Sequence, residues 1–229
     1  QAEDGILYVE RSRGLGDVYK RQPLIIAVIG ETISEKGGVI NLSAEGTIMI
    51  CALFGFMMGY ITDIALVGFI FAIILGAFIS FFISYCDIKL RMDQIAVGFV
   101  LTILFTHLSN YLGHDYVRIS GPMITKMQIP LLSKIPFLGE VLFNHSLITY
   151  FSILLIPFSW FFLNKTTFGL SIRASGENPT AASSRGIDVK KMRLYGTLIG
   201  GGLLGLAGAT FSLYTKSVSY THLTLPTKA

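Results

Sequence analysis

The stretch GENPTAASSRGIDVKKMR, Gly176 to Arg193, is polar and basic, yet it lies between two strongly apolar segments. LITYFSILLIPFSWFFL (147–163) precedes it and LYGTLIGGGLLGLAGATFSLY (194–214) follows it. A helix needs about 20 apolar residues to cross a bilayer core, so each flank is of spanning length. The stretch itself predicts a short helix that starts and stops within its own residues. Asn178 suits the N-cap, because its side chain accepts from amides of the first turn. Pro179 suits the first helical position, where no amide hydrogen is needed. Gly186 can take the left-handed stop. Asp188 then caps the next helix, with Lys190, Lys191 and Arg193 beside the membrane surface. A rigid stub on two short arms is either a capped connector or a part that passes force to another protein.

Composition agrees with a membrane protein. Of the 229 residues, 52% are hydrophobic and only 14% charged, against about 25% charged in ordinary soluble domains. Mean hydropathy is +0.63. The net charge of +4 falls in loops, which fits membrane orientation better than nucleic-acid binding. Cys51 and Cys86 lie in or beside apolar runs and read as small buried hydrophobes. Nothing near them completes a metal site.

Further apolar runs are PLIIAVIGETI (23–33), the short end of a helix, then 46–61, 64–85 and 95–112. Pro157 predicts a kink in the 147–163 run. Each run is apolar on all sides, so periodicity does not say which face meets lipid. No strand alternation is present, and the expected class is all-α: a polytopic helix bundle with a cytoplasmic coupling helix. The ends, about 1–22 and 217–229, read as non-native segments similar to translated adaptor sequence. The membrane domain is then expected over 23–216, as part of a longer protein.

Orientation follows from basic residues. If consecutive runs alternate in direction, the loops at 34–45, 86–94 and 164–193 share one side. They carry Lys36, Lys89, Arg91, Lys165, Arg173, Arg185, Lys190, Lys191 and Arg193. The longest loop, 113–146, carries only Arg118, Lys126 and Lys134 on the other side, and its IPLLSKIPFLG segment reads as a packed outer cap. The bias puts 164–193 in the cytoplasm.

The stub is similar to the cytoplasmic coupling loop of bacterial ABC importer permeases, whose pattern is Glu-Ala-Ala, three residues, then Gly. Ala181, Ala182 and Gly186 match it; Thr180 stands where the pattern often has Glu. GETISEKGGVINLSAEG (30–46), LRMDQIAVG (90–98), IPLLSKIPFLG (129–139) and TTFGLSIRASGENPTAASSRGIDVKKMR (166–193) resemble, in order, the permease family serving nucleosides and simple sugars, often encoded with a basic membrane lipoprotein. The resemblance covers about 23 to 216. It implies one permease subunit of an ATP-driven importer in the bacterial cytoplasmic membrane. Such a subunit pairs with a second permease, docks a cytoplasmic ABC ATPase through Asn178, Pro179, Ala181, Ala182 and Gly186, and receives substrate from an extracytoplasmic lipoprotein. It implies no catalysis and no cofactor.

The sequence offers no G-x-x-x-x-G-K-[ST] phosphate loop. GGGLLG (200–205) fits a dinucleotide pattern but lies inside an apolar helix. The better reading is close helix packing. Gly201, Gly205 and Ala209 share one face, as do Gly196 and Gly200, and Gly55 and Gly59 repeat the spacing. Asn-X-Ser/Thr matches at Asn41, Asn144 and Asn164 carry little, since only Asn144 would face outward.

Polar residues at membrane depth are candidates for a substrate path. Asn41 and Glu45 lie in a glycine-rich break, and Asp93 and Gln94 lie in a second one. They reach a path only where the break folds back into the bundle. The alternative is that Asn41 and Glu45 cap the helix that follows, and that Asp93 is a cap or pairs with Arg91. His107 and Asn110 have no partner cluster, and a core histidine is the default. Two other classes remain open: a secondary transporter or channel for a small polar solute, and an integral membrane enzyme. The first has no need of an ATPase dock; the second would gather His, Asp or Glu at one depth, and the histidines here are scattered.

Overall fold

The structure is a computed structural model, and it describes residues 22–116 and 147–214. The expectations for 1–21, for most of the 113–146 loop with IPLLSKIPFLG, and for 217–229 lie outside these residues. Among the described residues the regular structure is all helical, with no strand. Helix α1 covers 22–36. It is followed by α2 (Ala44–Thr62), α3 (Ala65–Ile88), α4 (Gln94–Gly113) and a 3-10 turn (His114–Tyr116). Then come α5 (Leu147–Lys165), α6 (Thr167–Glu177), α7 (Pro179–Ser184) and α8 (Val189–Ala209), which ends in a π-turn (Thr210–Tyr214). Five helices, α2, α3, α4, α5 and α8, are long and apolar enough to cross a membrane. Helix α5 runs on through Pro157.

Helix α8 is the centre of the bundle: 67% of its span is buried, against 6% for α4 at the edge. Its glycines explain this. A Cβ on Gly208 would stand 2.9 Å from Ala52 N. One on Gly205 would meet the backbone of Ala72, and one on Gly200 the backbone of Gly30. Helices α1, α2 and α3 therefore approach α8 backbone to backbone, as small residues permit where lipid supplies no hydrophobic drive. The spacing-based reading of the glycines describes these contacts. Cys51 and Cys86 are buried and unbridged.

The pairs also fix direction. Gly37 packs at Gly196 and Gly30 at Gly200, so α1 runs antiparallel to α8. Gly55 meets Ala209 and Gly68 meets Leu213, so the Thr62–Asp63 turn lies at the far end of α8. Ile40 N donates to Gln94 Oε1 at 2.9 Å, and Gly38 packs on Gly176 and Arg193. The loops at 34–45, 86–94 and 164–193 therefore meet at one end, as alternation requires. His107 departs from the core-histidine default: it is exposed on α4, because α4 packs along one side only.

Candidate functional site

The first polar break is a built structure. Helix α1 ends in a Schellman motif: Gly38 N donates to Glu35 O at 2.9 Å and Val39 N to Ser34 O at 3.2 Å. Gly38 has φ +84, which favours glycine. The chain then dips beside α4. Leu42 O accepts from Thr102 Oγ1 at 2.8 Å, and a Cβ on Gly98 would meet Leu42 and Ser43. Thr102 lies eight residues past Gln94, or about 12 Å along the helix at ~1.5 Å per residue. The break thus folds back into the bundle, the condition for polar groups there to line a path.

Within it, Asn41 is 6% exposed. Its Oδ1 accepts from Ser43 N at 3.1 Å and from Ser43 Oγ at 2.7 Å, and Ser43 Oγ lies 3.2 Å from Thr47 Oγ1. Its Nδ2 donates to Glu31 Oε1 at 3.3 Å. A polar chain, Glu31–Asn41–Ser43–Thr47, therefore ties α1 to the first turn of α2. Glu31 escaped the sequence reading, although a carboxylate inside PLIIAVIGETI was a visible signal.

Asp93 and Gln94 are also engaged by their own chain. Asp93 Oδ1 accepts from Ile95 N at 2.8 Å and caps α4. Gln94 holds Ile40. Glu45 is different. It is exposed on α2 and lines a cavity of about 900 Å³ between α1, α2, α4 and the π-turn. Asn110, Phe56, Tyr116 and Phe211 line it too. The cavity runs from the first turn of α2, at the end where the loops meet, toward the opposite ends of α2 and α4. Mostly apolar walls with a few amide, hydroxyl and carboxylate groups suit a small solute with flat faces and hydroxyls. The four path candidates are thus not one cluster: three hold the breaks together, and Glu45 faces open space with Asn110.

The stub, at the end where these loops meet, has the expected caps. Asn178 Oδ1 accepts from Ala181 N at 3.0 Å and from Thr180 Oγ1 at 2.7 Å, with Pro179 in the first turn. The stop is a second Schellman motif: Gly186 N donates to Ser183 O at 2.9 Å and Ile187 N to Ala182 O at 3.1 Å. Gly186 has φ +80, and no atom lies within 4 Å of where its Cβ would be. Ala182 is 3% exposed and buried against its own chain. Ala181 is exposed.

The arms are braced. Arg173 donates to Glu177 Oε1 at 2.7 Å and to Asn164 Oδ1 at 2.8 Å, clamping the end of α5 to α6. The hydrogen bond from Arg173 lowers the Glu177 carboxyl below its usual value. The backbone amide of Lys191 does the same for Asp188, the cap of α8. Lowered carboxylates stabilise above their unfolded values and lose that contribution as pH falls through the lower folded ones. The brace is therefore constant from about pH 6 to 8.

A family model described as the branched-chain amino acid transport system / permease component matches residues 18–228. A putative glucose ABC transporter permease protein of Haloferax volcanii is 36% identical over 83% of this chain and 59% of its own length. The nucleoside ABC transporter permease protein NupC of Lactococcus lactis is 33% identical over 86% of this chain and 65% of its own. The guanosine ABC transporter permease protein NupQ of Bacillus subtilis is 35% identical over 89% of this chain and 67% of its own. The chain thus spans about three fifths to two thirds of the length of these relatives. No solved structure matches. With five apolar helices of spanning length, the glycine-rich α8 among them, this is a multi-pass protein of the cytoplasmic membrane, and it belongs to the family of branched-chain amino acid transport system permease components.

Proposed function

We propose that the chain is the permease subunit of an ATP-driven importer for nucleosides or simple sugars. It works with a cytoplasmic ABC ATPase, a second permease subunit and an extracytoplasmic substrate-binding lipoprotein. The carrying observation is the stub. It is a six-residue helix with its own start and stop, and it exposes Ala181 and Ser183. Its geometry suits a rigid lever: Ala182 seats it, Ala181 and Ser183 are presented outward, and the arms lead to α5 and α8. The relatives named for glucose, nucleosides and guanosine support the substrate class. The cavity beside Glu45 and Asn110 offers the path, with the exposed Phe211 as a surface against which a flat base or a sugar ring can pack. The test is uptake of labelled nucleosides and sugars by the full-length gene expressed with its ATPase and lipoprotein. Uptake that depends on ATP hydrolysis supports the reading. Uptake driven by an ion gradient with the ATPase absent overturns it in favour of a secondary transporter.

A further inference from the structure

At the inner end a cleft of about 410 Å³ opens between α3, α7 and α8. Asp87 and Arg193 line it, with Lys190, and Thr180 and Ser183 of the stub form one wall. Two atoms in these walls are anomalous. Asp87 Oδ2 and Arg193 Nε are both buried, and neither has a hydrogen-bond partner among the described residues. Buried polar atoms are nearly always paired, because an unpaired one forgoes its hydration without return. An orphaned acceptor of a carboxylate on α3 and an orphaned donor of a guanidinium on α8 thus belong to two residues that line one cleft.

Arg193 is held elsewhere. Its Nε and Nη2 both stand 3.4 Å from where a Cβ on Gly38 would be. Gly38 in turn packs on Gly176, whose helix leads directly into the stub. The guanidinium therefore lies over the contact between the first break and α6. The stub that walls the cleft through Thr180 and Ser183 is thus joined through α6 to the contact at Gly38.

We propose that Asp87 and Arg193 are the two halves of a latch, open in this structure, that closes into an ion pair when the stub is driven toward the membrane. Closure satisfies both orphaned atoms at once, with the bidentate geometry that guanidinium and carboxylate favour. It ties α3 to α8 at their inner ends in one state of the cycle and releases them in the other. The latch rests on the importer reading, since it needs a partner that moves the stub.

The test uses the full-length permease with its cognate ATPase and lipoprotein. Asp87→Asn and Arg193→Gln should each lower uptake roughly tenfold, the middle of the usual range for coupling between sites. Membrane level and co-purification of the ATPase should stay normal. The exchange of both residues, Asp87→Arg with Arg193→Asp, should recover uptake to within about threefold of the parent on the same scale. A second arm does not depend on the exchange folding. In a background of Cys51→Ser and Cys86→Ser, the pair Asp87→Cys and Arg193→Cys should be joined faster by a short thiol cross-linker when vanadate traps the ATPase. Single variants that transport normally, or a cross-linking rate indifferent to vanadate, overturn the latch. If the parent permease itself fails to retain the ATPase, the importer reading falls instead, so the two failures are distinguishable.

Discussion

Asn41 and Glu31 are joined across the first break, Asn41 Nδ2 donating to Glu31 Oε1 at 3.3 Å. The other end of the same amide takes both the backbone amide and the hydroxyl of Ser43. One side chain thus fastens the end of α1 to the start of α2. Asn41→Ala would leave the buried Ser43 donors and Glu31 without their partner, at a cost of about 1–3 kcal/mol per unsatisfied group. The expected outcome is a lower amount of folded protein in the membrane, read by fluorescence size-exclusion in detergent. Normal folded yield with lost uptake would instead make Asn41 a substrate contact.

Glu45 and Asn110 call for the opposite result. Both are exposed residues lining the 900 Å³ cavity, and neither side chain closes a break. Glu45→Ala and Asn110→Ala should leave membrane level within about 20% of the parent, since surface changes away from packing cost within ±0.5 kcal/mol. Uptake should fall roughly five- to twentyfold through loss of one or two hydrogen bonds to the solute. Unchanged uptake for both removes the cavity from the path.

The α8 glycines separate packing from helix propensity. A Cβ on Gly208 would press on Ile48 O and Ala52 N, whereas on Gly202 the nearest atom is Ile73 Cγ2 at 3.5 Å. Gly202→Ala should be neutral or stabilising, by up to about 1 kcal/mol from helix propensity. Gly208→Ala forces α2 away from α8 and should cost about 1–3 kcal/mol, as overpacking does. Thermal unfolding in detergent checks the pair, and equal midpoints would contradict the backbone contact between α2 and α8.

These contrasts mark what could be read from sequence. The stub was legible because its signals are local: Asn178, Pro179 and Gly186 act on neighbours within one turn. Helix positions were legible from apolar run lengths. The face each helix turns inward was not, because runs apolar on every side carry no period. The core default for His107 fails for that reason. Gln94 with Ile40, and Glu31 with Asn41, depend on how separate helices register, which no local pattern encodes. The glycine pairs of α8 were the exception, since four-residue spacing of small residues records the contact itself.

Topology gives an independent check. Ser183 is exposed on the stub, and Asp63 is exposed in the turn at the other end of the bundle. In otherwise cysteine-free protein, Cys at position 183 should react with an impermeant reagent only from the cytoplasmic side, and Cys at position 63 only from outside. The basic loops at the stub's end dictate that direction. Reaction of both from one side would break the alternation of α3, α4 and α5, the helices that separate the two positions.

The last prediction concerns the stub as a lever. Asn178→Ala removes the oxygen that holds Ala181 N and Thr180 Oγ1, and a lost cap of this kind costs about 1 kcal/mol. Gly186→Val meets no atom in space, so its effect comes only from the left-handed backbone, roughly 1–2 kcal/mol or more for a β-branched residue. Both changes fray the stub without touching the spanning helices. Ala181→Glu acts differently: it leaves the caps intact and places a bulky charge on the presented face. All three variants should reach the membrane at normal levels. The two fraying variants should retain part of the ATPase in pull-downs but couple hydrolysis poorly to uptake. Ala181→Glu should lose the ATPase outright, since an unpaired charge would be buried at the contact. Ala182→Glu is the control. It strikes the seat of the stub inside the chain and should lower folded yield as well as docking. If Ala181→Glu keeps the ATPase and transports at the parent's rate, the presented face makes no contact, and the stub is a connector between α6 and α8.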